Sequence, residues 1–265
     1  MESENIIKKI QEEINKTGFP LELRVSKLLK NRRYFVNHSA YYIDEDEGKS
    51  REIDILSHLN RIFRDKKTNQ DIYVRNVLVI ECKKSDNKPW VFLESGVDEY
   101  DDQDLEELFV WNFENTKPFG LISTNYIKEV HPFKGYDYRA RNFFEAFKGS
   151  ETGETIFKAL TAAVKASLYY GKDKTKDDIC IYYPMVIFDG RMFQAILDDA
   201  DKTNVSEINS VLFTFKYKSL NYERTFTIPI LRENYVEEFL EKLEQSLEVA
   251  TKQAEMIRNR FSDFE

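Results

Sequence analysis

Residues 77–84 read Val-Leu-Val-Ile-Glu-Cys-Lys-Lys, and no other run constrains the fold as tightly. Four consecutive apolar residues describe a strand covered on both faces, the kind found at the centre of a sheet with helices packed against it. Such a strand ends in a carboxylate and an ammonium only where something pairs with them, because unpaired charge beside a core is costly. The two-residue period of a strand puts Glu81 and Lys83 on one face and Cys82 on the other.

The flanking chain supplies the rest of that sheet. Ile6, Ile7, Ile10 and Ile14 predict a helix over 3–15. Pro20 is well placed for the first turn of a second helix, about 20–31, with Leu21, Val25, Leu28 and Leu29 on one face. Strands are predicted at about 40–44, 51–59 and 73–83, then a helix near 102–113, a short strand at 119–124 and a helix over 153–170. Beyond Gly171, strands at 179–188 and 191–197 are expected to form a hairpin across Asp189-Gly190. Strands 210–218 and 224–230 should meet across a second turn, and a helix over 234–261 closes the chain. The reading is one domain of mixed α/β (α+β) class, with a mixed central sheet flanked by helices. Residues 1–172 would form its core and 173–265 a β-rich extension with the terminal helix.

In the second predicted strand, Asp54 stands between Ile53 and Ile55. If this strand pairs with the third, Asp54 and Glu81 converge. Hard carboxylate oxygens suit magnesium, which is held by one or two carboxylates together with substrate phosphate. Lys83 beside them would position a water and offset phosphate charge. At 100° per residue, Glu22 falls beside Leu29 at the edge of the second helix's apolar face and can look toward the same place.

A helix-edge Glu22, a strand Asp54, and Glu81-Cys82-Lys83 closing a buried strand resemble the PD-(D/E)XK nuclease superfamily, with its restriction-endonuclease-like fold. The resemblance implies Glu22, Asp54, Glu81 and Lys83 as the catalytic set. Asp54, Glu81, the Cys82 backbone carbonyl and Glu22 would hold Mg2+, with Mn2+ as substitute. It implies phosphodiester hydrolysis in DNA, with RNA as a narrower rival, in restriction, defence or repair. One departure from the pattern is Ile53, where many members carry proline.

Other readings stand beside these. Glu81 and Lys83 also admit the plainer reading of an ion pair at a strand end, and Glu52 could substitute for Asp54. A catalytically silent nucleic-acid-binding or assembly module on the same fold is the alternative function. The terminal helix carries Val236, Leu240, Leu243, Leu247, Ala250, Ala254, Ile257 and Phe261 at heptad spacing. That is either a homodimer seam or a stripe lying on the chain's own strands. His38, His58 and His131 show no metal spacing, so structural roles are expected for them. Trp90 and Phe92 are read as core, with a base-stacking platform the competing view. Cys82 and Cys180 are expected to be buried free thiols, as in a reducing cytoplasm, and no membrane span is present.

Composition first seems to exclude nucleic acid, with 47 Asp+Glu against 39 Lys+Arg. Eight of those acids lie between Glu94 and Glu107, however, and the remaining chain is balanced. Basic clusters at Lys27–Arg33, Arg61–Lys67, Lys83–Lys88 and Arg139–Lys148 are therefore expected to be free to meet phosphate.

Overall fold

A computed structural model of the chain describes residues 2–94, 110–111, 132–133, 139–149, 153–172, 178–198, 200–219 and 222–262. The described helices are α1 (Glu2–Asn15), α2 (Phe19–Asn31), α3 (Glu154–Gly171) and α4 (Val236–Ser262), the last preceded by a 3-10 turn at Glu233–Tyr235. The strands are β1 (Phe35–Asp44), β2 (Lys49–Arg64), β3 (Asp71–Lys84), β4 (Trp90–Glu94), β5 (Val110–Trp111) and β6 (Arg139–Glu145). They continue with β7 (Ile179–Asp189), β8 (Met192–Leu197), β9 (Thr203–Ile208), β10 (Ser210–Lys218) and β11 (Glu223–Arg232).

All eleven belong to one mixed sheet in the order β1-β2-β3-β7-β11-β10-β6-β4-β8-β9, with β5 paired to β7. β3 is central, antiparallel to β2 on one side and parallel to β7 on the other. Its apolar run is buried on both faces, and so is nearly all of β7. On one face Leu78, Ile80 and Cys82 pack with Leu21, Val25 and Leu29 of α2 and with the α4 stripe. On the other, Val79 and Val186 pack with Ile156, Leu160 and Val164 of α3. Cys82 and Cys180 thus lie in opposite cores as free thiols.

The mixed sheet with helices on it matches the expected class, but four local expectations change. Strands β7 and β8 do not form a hairpin: β8 lies between β4 and β9 at the far end of the sheet. Gly190 instead answers to close approach, since a Cβ there would stand 2.7 Å from the Ser85 carbonyl and 2.4 Å from the Phe188 ring. The helix expected near 102–113 meets a strand at Val110–Trp111, while the rest of that helix, the strand at 119–124 and the acidic stretch beyond Glu94 lie outside the described residues. β4, β6 and β9 are strands that the sequence reading lacks. Finally, strands from either side of residue 172 alternate: β7 sits against β3, and β4 and β6 sit between β10 and β8.

The α4 stripe is spent inside the chain. Val236, Leu240, Leu243, Leu247, Ala250 and Ala254 are each no more than 1% exposed in the core with β2 and β3. Those six positions are covered within the chain, which supports the reading of a helix lying on its own strands over that of a homodimer seam. The α1 isoleucines, by contrast, face outward, from 44% exposed at Ile14 to 55% at Ile6. Among the described residues, no helix is long and apolar enough to cross a membrane.

Candidate active site

The site is made where β2 leaves β3. Their ladder ends at Ile55↔Ile80, yet β3 continues beside β7 as far as Lys84↔Asp189. The cause lies in β2 itself. Pairing with β1 runs from His38↔Ile55 to Ala40↔Ile53 and skips Ser39 and Asp54, and Ser39 has a left-handed φ of 50°. Two residues apart on a regular strand share a face. Here Ile55 enters the core under α2 while Ile53 enters the core under α3, so the strand turns over at Asp54. The Asp54 side chain is thereby directed into the gap between the strands, where its Oδ2 accepts the Cys82 backbone N–H at 2.7 Å.

Glu81, Cys82 and Lys83 thus have a strand partner on one side and Asp54 on the other. The Lys83 ammonium donates to Glu81 and, at 3.2 Å, to the Cys82 carbonyl. It also stands 3.8 Å from Asp54 Oδ2. The strand-end ion pair therefore exists, with Asp54 as its third member. Burial pushes the Glu81 carboxyl up to about 7, Lys83 opposes that rise, and Asp54 and Glu22 reinforce it. Burial disfavours the charge on Lys83, but Glu81 and Asp54 outweigh it and hold the ammonium above its ordinary value. Glu22 is raised by burial first and by Asp54 second, with Lys83 pulling the other way, so α2 does bring it into the field of the group. Burial also raises the Cys82 thiol, which argues against a nucleophile there.

Glu81 and Lys83 open into a cleft of about 470 Å³ that Glu52 also lines. Its opposite wall is α3, through Phe157, Lys158, Thr161 and Lys165, and Arg51 closes one side. None of these wall residues was singled out from the sequence. Lys158, Thr161 and Lys165 recur at i, i+3 and i+7, a polar stripe beside the apolar face of α3, and that spacing was the available signal.

Two carboxylates and a backbone carbonyl already converge on one cation, the Lys83 ammonium. That donor set fits magnesium, which completes its shell with water and phosphate, better than a closed site of protein ligands. A nearby divalent charge would also favour the ionised form of Glu81. Among the described residues, no three His, Cys, Asp or Glu side chains form a ready-made metal group.

No protein-family model, curated protein or solved structure matches this chain.

Of the three histidines, His131 lies outside the described residues, and His38 and His58 have structural neighbours. His58 stacks on Phe35 at 4.9 Å, and burial lowers its pKa. His38 Nδ1 lies 3.4 Å from Ser26 Oγ. Trp90 is buried and stacked on Phe188 at 3.9 Å, so packing is its role. Lys84 donates to the Asn15 carbonyl at the end of α1. The basic clusters are partly consumed within the chain: Arg32 reaches Glu237, Glu241 and Glu244, Arg61 pairs with Glu248, and Lys148 with Glu145. A cation opposite a nearby helix carboxylate gains its partner without nucleic acid, which sequence spacing alone does not reveal.

Proposed function

We propose that this chain is a metal-dependent nuclease of the PD-(D/E)XK type, hydrolysing phosphodiester bonds, with DNA as the first substrate to test. One observation carries the reading: Lys83 is bracketed by Glu81 and Asp54 at an open cleft whose walls carry Arg51, Lys158 and Lys165 alongside Asp44, Glu47 and Glu52. The restriction-endonuclease-like core and cytoplasmic action belong to the same proposal. Asp54, Glu81 and the Cys82 carbonyl would hold magnesium, with Glu22 supporting them. When bound, the ion supplies Lewis acidity at the phosphate and a more acidic water. Lys83, fixed by Glu81 and the Cys82 carbonyl, holds the attacking water by a hydrogen bond and offsets charge on the scissile phosphate. Lys158, at the cleft wall, meets a neighbouring phosphate.

The test is cleavage of plasmid, single-stranded DNA and RNA with magnesium or manganese. Lys83→Ala and Asp54→Ala should each lower the rate by about a thousandfold or more while the protein stays folded. A folded wild type that is inert with both metals on all three substrates would overturn the enzyme reading. In that case the silent module on the same fold becomes the better account.

A further inference from the structure

Helix α1 carries an apolar stripe that its own chain leaves open. Ile6, Ile7, Ile10 and Ile14 fall within about 100° of the helix circumference. The stripes of α2, α3 and α4 are buried against the sheet. On α1, every side chain from Asn5 to Asn15 is exposed, and the four isoleucines remain 55%, 53%, 53% and 44% exposed. A helix of 14 residues with four β-branched side chains is marginal by itself in water, so it depends on packing along that stripe. Lys84 anchors only its end, through the 2.8 Å bond to the Asn15 carbonyl.

We infer that α1 pairs antiparallel with α1 of a second copy of this chain, about a twofold axis at Ile10. The inference is independent of the nuclease reading. In a twofold contact the same patch serves both partners, so it must complement itself. An axis at Ile10 sets Ile10 against its own copy and Ile6 against the partner's Ile14, and the stripe covers itself. Charge selects the same arrangement. Lys9 and Glu13 follow each other one turn apart along one edge of the stripe. Antiparallel helices bring like edges together, so Lys9 falls within reach of the partner's Glu13, and Glu13 of the partner's Lys9. Glu13 already meets Lys16 at 2.6 Å, but these side chains are 73% and 69% exposed, and a pair so solvated is readily exchanged. A lipid surface is the poorer occupant. Residues 2–16 carry four glutamates and three lysines, whereas a helix that lies on anionic headgroups has a basic polar face. Two helices of this length bury on the order of 1,000 Å² together, the lower bound of a specific interface, so a dissociation constant of about 10–100 µM is expected.

The experiment is sedimentation velocity of the full chain from about 5 to 500 µM, a range that brackets the expected dissociation constant. Wild type should pass from monomer to dimer. Ile10→Asp, which sets two carboxylates against each other at the axis, should weaken the dimer by about a hundredfold. Because Ile10 is exposed in the monomer, its urea midpoint measured at low concentration should not move. Lys9→Glu and Glu13→Lys should each weaken the dimer by about fivefold. An equimolar mixture of those two variants should associate as well as wild type, since each Glu then faces a Lys across the axis. A chain that stays monomeric throughout, or an Ile10→Asp variant that dimerises like wild type, would overturn the inference. A mixture no tighter than its two components would overturn the antiparallel register and, with it, the proposed pairing.

Discussion

Two carboxylate–lysine groups face the same cleft, and they differ in charge balance. In the first, Lys165 on α3 meets Asp44 at 2.8 Å and Asp46 at 3.1 Å, Arg51 stands 3.8 Å from Asp44, and Tyr217 donates to Asp46. Arg51 also pairs with Glu47 at 2.7 Å, and Lys49 with Glu47 at 3.4 Å, so three carboxylates face three cations, and the group clasps α3 and β10 to the end of β1. In the second, Glu81 and Asp54 face the cation Lys83, and Glu22 lies within the field of the same group. A balanced group is complete as it stands. One with excess negative charge, buried enough to raise Glu81 to about 7, is stabilised by a further cation. Burial and residue type are shared, so the deficit of positive charge is what marks the second group as chemical and the first as structural.

This contrast can be broken in three further ways. The largest effect is expected at the clasp. Lys165→Met leaves Asp44, only 3% exposed, short of its main partner and should cost about 3 kcal/mol in urea denaturation. Lys83→Met strips its group of the facing cation, but Glu81, already raised to about 7, can take up a proton in its place, so the cost should be clearly less. Equal losses would erase the distinction.

The next effect is in pH dependence, where the two groups have opposite signs. Glu81 is raised from an ordinary 4.5 to about 7, so the folded protein holds its proton more tightly than the unfolded chain does. Its contribution to stability is fully present below 4.5 and is lost as pH rises through about 7. In chelator, Glu81→Gln should remove a stability loss on the order of 2 kcal/mol between mild acid and mild alkali. Asp46 is lowered, first by the Tyr217 hydrogen bond, so its contribution is present above 3.8 and falls away in acid. If Glu81→Gln leaves the pH profile unchanged, the site is not strained in the way described. The smallest effect belongs to Tyr217→Phe, which removes one donor to Asp46. It should cost about 1 kcal/mol and shift the acid limb upward in pH, and an unchanged acid limb would detach Tyr217 from the clasp.

The floor of the site was legible because short-range rules governed it. A continuous apolar run ending in Glu81-Cys82-Lys83 specifies a buried strand with two charges on one face, and an aspartate between isoleucines specifies a strand with one misplaced carboxylate. The wall was not legible. Lys165 looks like the solvated side of a helix until α3 is laid across β1 and β3 and meets Asp44. Arg32 and Arg61 looked available for phosphate until α4 supplied glutamates against them. The Asp189-Gly190 turn failed for a related reason: a local hairpin signal lost to the parallel pairing of β7 with β3 and the crossing beside Ser85.

By itself the amino-acid sequence determined the central strand, the helices that cover it, and the identity of Glu22, Asp54, Glu81 and Lys83 as candidates. Those follow from periodicity and from the cost of charge near a core, which act over a few residues. Only the tertiary structure decided that β2 turns over at Asp54, that α4 spends its heptad stripe on its own sheet, and that α3 walls the cleft opposite Glu81 and Lys83. Each of these depends on which distant strands become neighbours, a matter of long-range packing that spacing along the chain does not encode.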